Sequence, residues 1–265
     1  MSRAILNGID LYFETYGKGT PLMLIAGLAS DCQSWQPVIK DLSHHFLVIT
    51  PDNRGVGRTT PQNIEISIQQ IADDSVALIR HLGFSSVNLL GHSMGGLAAL
   101  DLVGRYPDCI NKLILAGTSS INSRRNIGLF SDWASSLESG MDLELWFRNI
   151  YYWIFSKRFF ENEAAVKDAV RFAIEYPYPQ SAIAFRNQVK AIARYNGSKY
   201  LSRIRAKTLV LSGQEDLIFP TQESAGLARA IPRADFSVID NAAHSIHMEQ
   251  PLSFIDNVLD FLFDD

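Results

Sequence analysis

The sequence predicts an α/β architecture: a mostly parallel twisted sheet with helices on both faces and one inserted helical cap. Three observations carry this. Short apolar runs alternate along the chain with segments of helical period, as when parallel strands are joined by crossover helices. The alternation stops once, from 119 to 202, where helical windows follow one another without a convincing strand. That stretch holds 16 of the 28 aromatic residues in under a third of the length, so it is expected to form a body of its own. The core is therefore expected at 1–118 and 203–265, and the cap, or lid, at 119–202.

The chain opens with Ala-Ile-Leu before Asn7-Gly8 and Ile-Asp-Leu-Tyr-Phe after it. This is the pattern of an antiparallel hairpin, because both residues of a type I′ turn need positive φ and Asn-Gly supplies it. The runs 21–26, 46–50, 87–90, 112–116, 207–211 and 236–239 are short and β-rich, the composition of strands buried on both faces. Between them, 67–82 places Ile68, Ile71, Ala72, Val76, Ile79 and Leu82 at helical spacing, with Gly83 set to end the helix. A second helix, 94–106, stops at Pro107. The segments 221–230 and 251–263 repeat the form, the latter with proline in its first turn, where a missing N–H costs nothing. Within the cap, 143–155 and 164–174 carry the same period.

A net charge of −4 with no long acidic or basic block gives no reason to expect nucleic acid or an anionic membrane as partner. Residues 1–10 hold one arginine and no apolar run of signal-peptide length, and no stretch approaches the roughly 18 apolar residues of a spanning helix. A cytoplasmic location is the default expectation. Cys32 and Cys109 are too few for a disulfide framework and lack zinc-site spacing, so both are expected to be buried free thiols.

Gly91-His92-Ser93-Met94-Gly95 matches G-x-S-x-G, a motif short enough to recur by chance. Its place between the run 87–90 and the helix starting at Met94 gives it the strand-to-helix context that a nucleophile turn requires. In so sharp a turn a Cβ two residues to either side would collide, which explains both glycines. A serine hydroxyl needs an adjacent base, usually an imidazole held by a carboxylate. The loop after 207–211 offers Glu215 and Asp216, and the loop after 236–239 offers Asp240, His244 and His247. Both loops leave the carboxyl ends of strands, where parallel sheets place their sites. His92 is expected to be packed and hydrogen-bonded, His44, His45 and His81 to lie on the surface, and Asp52 and Arg54 to pin their own loop.

Taken in order, these motifs resemble the α/β-hydrolase superfamily, in the capped branch that includes small carboxylesterases, enol-lactonases, carbon–carbon bond hydrolases and cofactor-free haloperoxidases. Ala26-Gly27-Leu28 resembles the oxyanion loop, 52–59 the loop after the next strand, and 91–96 the nucleophile elbow; 213–220 and 244–251 resemble the acid and base loops. The resemblance implies Ser93 as nucleophile, Asp216 as orienting acid and His244 as base. The family's base stands five residues before a Glu and seven before a Pro, here Glu249 and Pro251, which selects His244 over His247. It also implies an oxyanion hole from the backbone N–H groups of Leu28 and Met94. Ala26 departs from the histidine common at that place, so the hydrogen bonds inside this loop are expected to differ.

The resemblance implies hydrolysis of a carboxylic ester or lactone of a small, fairly apolar molecule through a Ser93 acyl-enzyme, with neither metal nor organic cofactor. Serine at the elbow argues against haloalkane dehalogenases and epoxide hydrolases, which use aspartate there. A carbon–carbon bond hydrolase of the meta-cleavage-product type and a slow-turnover ligand-binding receptor are the alternatives. A pocket is expected beneath the cap, with Trp146, Tyr152 and Trp153 as candidate lining; aromatics that merely fill the cap's own core are the competing reading.

Overall fold

Asn7 and Gly8 take φ of 47° and 78°, and so fold β1 (Ser2–Leu6) back onto β2 (Ile9–Tyr16) as an antiparallel hairpin. The computed structural model describes residues 2–264. The further strands are β3 (Pro21–Ile25), β4 (Leu47–Pro51), β5 (Val87–His92), β6 (Ile110–Ala116), β7 (Lys207–Gly213) and β8 (Asp235–Ile239). They form one sheet in the order β1-β2-β4-β3-β5-β6-β7-β8, antiparallel at the first two pairings and parallel from there on. Because β4 and β5 flank β3 on opposite sides, the winding reverses there, and the loops after β3 and β5 diverge to leave a crevice at their carboxyl ends.

Outside the long insertion, the helices are α1 (Gln36–Leu42), α2 (Ile68–His81) and α3 (Met94–Arg105) before it, then α9 (Thr221–Ala230), α10 (Ile246–Glu249) and α11 (Pro251–Phe263) after it. The intervening numbers belong to the insertion: α4 (Arg124–Glu138), α5 (Leu143–Ile154), α6 (Lys157–Phe160), α7 (Glu163–Ile174) and α8 (Ala182–Arg194). Strand side chains feed both faces with period two. Met23, Ile25, Leu89 and Leu115 join the core under α2 and α3, while Leu22, Leu24, Leu90 and Ile114 join the core under α1 and α11. The apolar runs are therefore continuous rather than alternating, because neither face meets water.

The insertion lies between β6 and β7 and contains no strand among the described residues. Four of its helices start on a side-chain cap: Ser123, Asp142, Asn162 and Ser181 accept from the N–H groups of Asn126, Leu145, Ala165 and Ala184. Each cap satisfies a donor that the first helical turn leaves unpaired. The two ends of the insertion meet, since Ile121 bridges Asn196 and Gly197 N donates to Ser120 O at 2.8 Å. Cys32 is buried, but Cys109 is only half-buried, a correction to the expectation for that thiol; neither is in a disulfide. No helix among the described residues is long and apolar enough to cross a membrane.

Candidate active site

β5 ends at His92 and α3 begins at Met94, so Ser93 alone makes the turn, at φ 54° and ψ −119°. A positive φ is strained for serine and persists only where the surroundings enforce it. A Cβ on Gly91 would stand 2.4 Å from Gly95 O, and one on Gly95 would stand 2.0 Å from Ile25 O. Only glycine permits either approach. Ser93 N donates to Ala116 O at 3.0 Å and Thr118 Oγ1 donates to Ser93 O at 2.8 Å, clamping the turn to the end of β6.

His244 stands on the loop after β8, 6% exposed, with Nε2 2.9 Å from Ser93 Oγ and Nδ1 3.0 Å from Asp216 Oδ2. Asp216 follows β7, and its other oxygen accepts the N–H groups of Ile218 and Phe219 at 2.8 and 2.9 Å. The carboxylate is thus aimed by its own loop. Because a carboxylate accepts the Nδ1 proton, Nε2 is left as an acceptor for the serine hydroxyl, the arrangement that can activate it. Glu215 and Asp240 stand apart from this line: Glu215 accepts from Lys157 N at 3.4 Å and Asp240 is exposed.

The Glu249 spacing acquires a physical meaning here. Its carboxylate accepts the N–H of Ala243 at 2.7 Å and of Ser156 at 2.9 Å, and Ser245 N donates to Ile154 O at 2.9 Å. The histidine loop is tied on both sides of His244 to the end of α5. His92 Nε2 donates to His244 O at 2.8 Å, and burial, then the neighbouring His244, pushes its imidazole down to about 3. His247 is 2% exposed, its ring 4.5 Å from Trp35 and 4.8 Å from His92, and burial holds it neutral as well. It is a packing residue, and His244 is the one that reaches Ser93.

The model of the α/β hydrolase fold family matches residues 20–251. The chain belongs to the α/β-hydrolase family. It is similar to a protein named carbamate hydrolase RutD from Agrobacterium fabrum, at 26% identity over 95% of this chain and 98% of that one. It is also similar to a 2-hydroxy-6-oxo-2,4-heptadienoate hydrolase of Pseudomonas putida, at 26% identity over 97% of this chain and 94% of that one. Among solved structures, a thermophilic esterase from Thermogutta terrifontis superposes with a TM-score of 0.87 at 28% identity, covering 99% of this chain and 98% of the other.

In this hydrolase a cavity of about 80 Å³ opens on Ser93 and His244. Leu28, Met94 and Phe219 wall it from the core, and Phe130, Trp133, Ile150, Ile154 and Phe185 wall it from the insertion. Trp146, Tyr152 and Trp153 do not line it, which corrects the expectation for these three. Trp146 donates its Nε1–H to Trp133 O at 2.8 Å and packs edge-on against Phe185, inside the insertion's own core. Tyr152 is 51% exposed and stacks on Phe160, and Trp153 lies beside the Arg125 guanidinium. The cavity takes Ile150 and Ile154 of α5, one helical turn apart, and Tyr152 is rotated to the far side of the helix from them.

Leu28 and Met94 border the cavity beside Ser93, and the loop of Leu28 is held by residues the sequence did not single out. Ala26 O accepts Asn53 Nδ2 at 3.0 Å, and Ala29 N donates to Gln188 Oε1 at 3.2 Å. Gln188, fully buried on α8, also donates to Arg54 O at 3.2 Å. A signal existed: Gln188 sits among Ala184, Phe185, Val189 and Ile192 on the buried stripe of its helix, where a polar side chain needs a reason.

Asp31, Cys32 and Asp52 are the group with metal-ligand proximity among the described residues. A guanidinium already fills that role. Arg58 donates to Asp52 Oδ2 through N at 2.8 Å and Nε at 3.1 Å, and its Nη2 is 2.9 Å from Cys32 Sγ. Asp52 and, through a bidentate pair with Asp74 at 2.7 Å, Arg54 hold their own loop in place.

Proposed function

We propose that this hydrolase cleaves a carboxylic ester or lactone of a small, neutral, fairly apolar substrate through an acyl-enzyme on Ser93. The observation that carries the reading is the unbroken hydrogen-bonded line from Asp216 through His244 to Ser93 Oγ, on a strained turn facing a mostly apolar cavity. Ser93 Oγ attacks the carbonyl carbon as its proton passes to His244 Nε2. The oxygen that becomes negative is received by the N–H groups of Leu28 and Met94, and each such donor contributes roughly 3 kcal/mol in comparable enzymes. His244 then returns the proton to the departing alkoxide. A water activated by the same imidazole attacks the acyl carbon and frees Ser93. The insertion serves as the lid that keeps bulk water from the acyl group.

The likeness to an esterase at 28% identity supports ester chemistry. The carbon–carbon alternative is represented by a relative whose named substrate, a heptadienoate, is an anion. Among the described residues lining this cavity there is no lysine or arginine, so such an anion would be buried without a counter-charge. That costs several kcal/mol and favours a neutral substrate. The test is stopped-flow hydrolysis of p-nitrophenyl acetate and butyrate, with mass spectrometry of fluorophosphonate-treated protein. The reading expects a burst of one nitrophenolate per chain, continued turnover and a label on Ser93. Cleavage of a vinylogous diketone acid in preference to both esters would overturn it, and a burst without turnover would favour the receptor.

A further inference from the structure

Asn122 is a polar side chain in the cavity wall that the mechanism above leaves unused. It follows β6 and precedes Ser123, the cap of α4, so the backbone fixes its place at the mouth of the insertion. It is 6% exposed and lines the same cavity as Ser93, beside Phe130, Trp133 and Ile192. Neither its Nδ2 nor its Oδ1 has a hydrogen-bond partner among the described residues. Its neighbour one turn on behaves in the ordinary way, since Asn126 Nδ2 donates to Ile218 O at 2.8 Å. A buried amide with both ends unmade is destabilising, and such groups persist in native proteins where a ligand or a function repays them.

We infer that Asn122 is a specificity-determining residue, and that its side chain pairs with a neutral amide, an adjacent N–H and C=O, in the acyl part of the substrate. The inference rests on the acyl-enzyme reading and narrows its substrate class. Only a group that both donates and accepts satisfies Oδ1 and Nδ2 together. An alkyl group satisfies neither. A carboxylate would suit Nδ2 but oppose Oδ1, and no cationic side chain among the described residues of the wall would balance its charge.

The experiment compares p-nitrophenyl N-acetylglycinate with p-nitrophenyl pentanoate, acyl chains of equal length with and without the amide, on the wild type and on Asn122→Leu. Taking the ratio of the two proteins cancels the different intrinsic reactivities of the esters. The leucine variant should lower kcat/KM for the amide ester and raise it for the pentanoate, changing their ratio at least tenfold, while its melting temperature rises. An asparagine that serves structure alone predicts a lower melting temperature and an unchanged ratio, and that result overturns the inference. If the leucine variant fails to fold, Asn122→Ala, which removes the carboxamide without adding bulk, replaces it and should show the same change in ratio.

Fluorophosphonate labelling of Ser93 in both proteins separates the two levels of the argument. Labelling with an unchanged ratio removes the role of Asn122 alone. If labelling and turnover are both absent, the acyl-enzyme reading falls, and saturation-transfer NMR with N-methylacetamide then decides the question for Asn122. Binding to the wild type and not to the variant supports it; binding to neither overturns it.

Discussion

Acidification from pH 7.5 to 5 should destabilise this fold through its buried imidazoles, His92 first. Burial pushes His92 down from an ordinary 6.5 to about 3, with the neighbouring His244 imidazole acting in the same direction and the hydrogen bond to His244 O, then Asp216, acting against it. In the unfolded chain the same ring titrates near 6.5, so below that pH the unfolded state binds the additional proton. Stability from this group is therefore complete above about pH 6.5 and is lost progressively as pH falls toward 3. At pH 5 the gap is about 1.5 units, and at 1.36 kcal/mol per unit the loss is about 2 kcal/mol. His247, also lowered by burial, adds a loss of the same sign. His92→Gln removes the titration while keeping a donor near the position of Nε2, so the contact with His244 O can survive. Urea unfolding of both proteins across pH 5 to 8 isolates the term, because Asp31 and Asp74, which burial raises, are common to both and cancel. The wild type should lose about 2 kcal/mol more than the variant between pH 7.5 and 5. Parallel curves separated by a constant offset would refute the reasoning.

Ser93→Ala should abolish ester turnover and fluorophosphonate labelling while circular dichroism and melting stay near the wild type; retained labelling would place the nucleophile elsewhere. His244→Ala should reduce kcat/KM by several orders of magnitude. His247→Ala should chiefly lower stability, by about 2–5 kcal/mol as for other large-to-alanine core changes, read by denaturant unfolding. Gln188→Leu should release Ala29 N and loosen the loop of Leu28, lowering kcat about tenfold with a smaller change in KM. Phe130→Ala or Trp133→Ala should move the acyl-length optimum of a p-nitrophenyl ester series to longer chains, since each methylene newly buried is worth about 0.8 kcal/mol, roughly fourfold in binding. An unchanged length profile in both variants would mean that the cavity described beside Ser93 does not receive the acyl group.

The strands and their order of use could be read from the sequence because each is a local pattern. A run buried on both faces, such as Leu22 to Ile25, announces itself within a few residues. Ser93, Asp216 and His244 could be named as candidates for the same reason, since each lies directly beyond a strand end with its own short motif. What the sequence could not supply was the contact between insertion and core. Gln188 and Ala29 are 159 residues apart, and no pattern near either one specifies the other. Trp146, Tyr152 and Trp153 stand outside the cavity wall for a related reason: aromatic content locates an apolar body but does not say which of its side chains look inward. The cavity took aliphatic Ile150 and Ile154 from α5 and its aromatics from Phe130, Trp133 and Phe185 on the neighbouring helices.

The bonds from Glu249 and Ser245 to Ser156 and Ile154 moor the α5–α6 end of the insertion to the loop of His244, while Asn126 of α4 is bonded to Ile218 O and Gln188 of α8 to Ala29 N and Arg54 O. A cavity of about 80 Å³ is small against the roughly 300–1,000 Å³ of drug-sized ligand sites, so a larger guest has to displace helices to enter. A displacement that swings α4 and α8 about the α5–α6 junction spares the bonds to the His244 loop but breaks those of Asn126 and Gln188, and with Gln188 goes the support of the Leu28 loop. One that lifts the junction itself pulls on the backbone to either side of His244 and takes the imidazole out of reach of the hydroxyl. Widening the cavity and keeping its wall in place are thus interlocked, since one movement draws His244 away from Ser93 and the other frees the loop of Leu28.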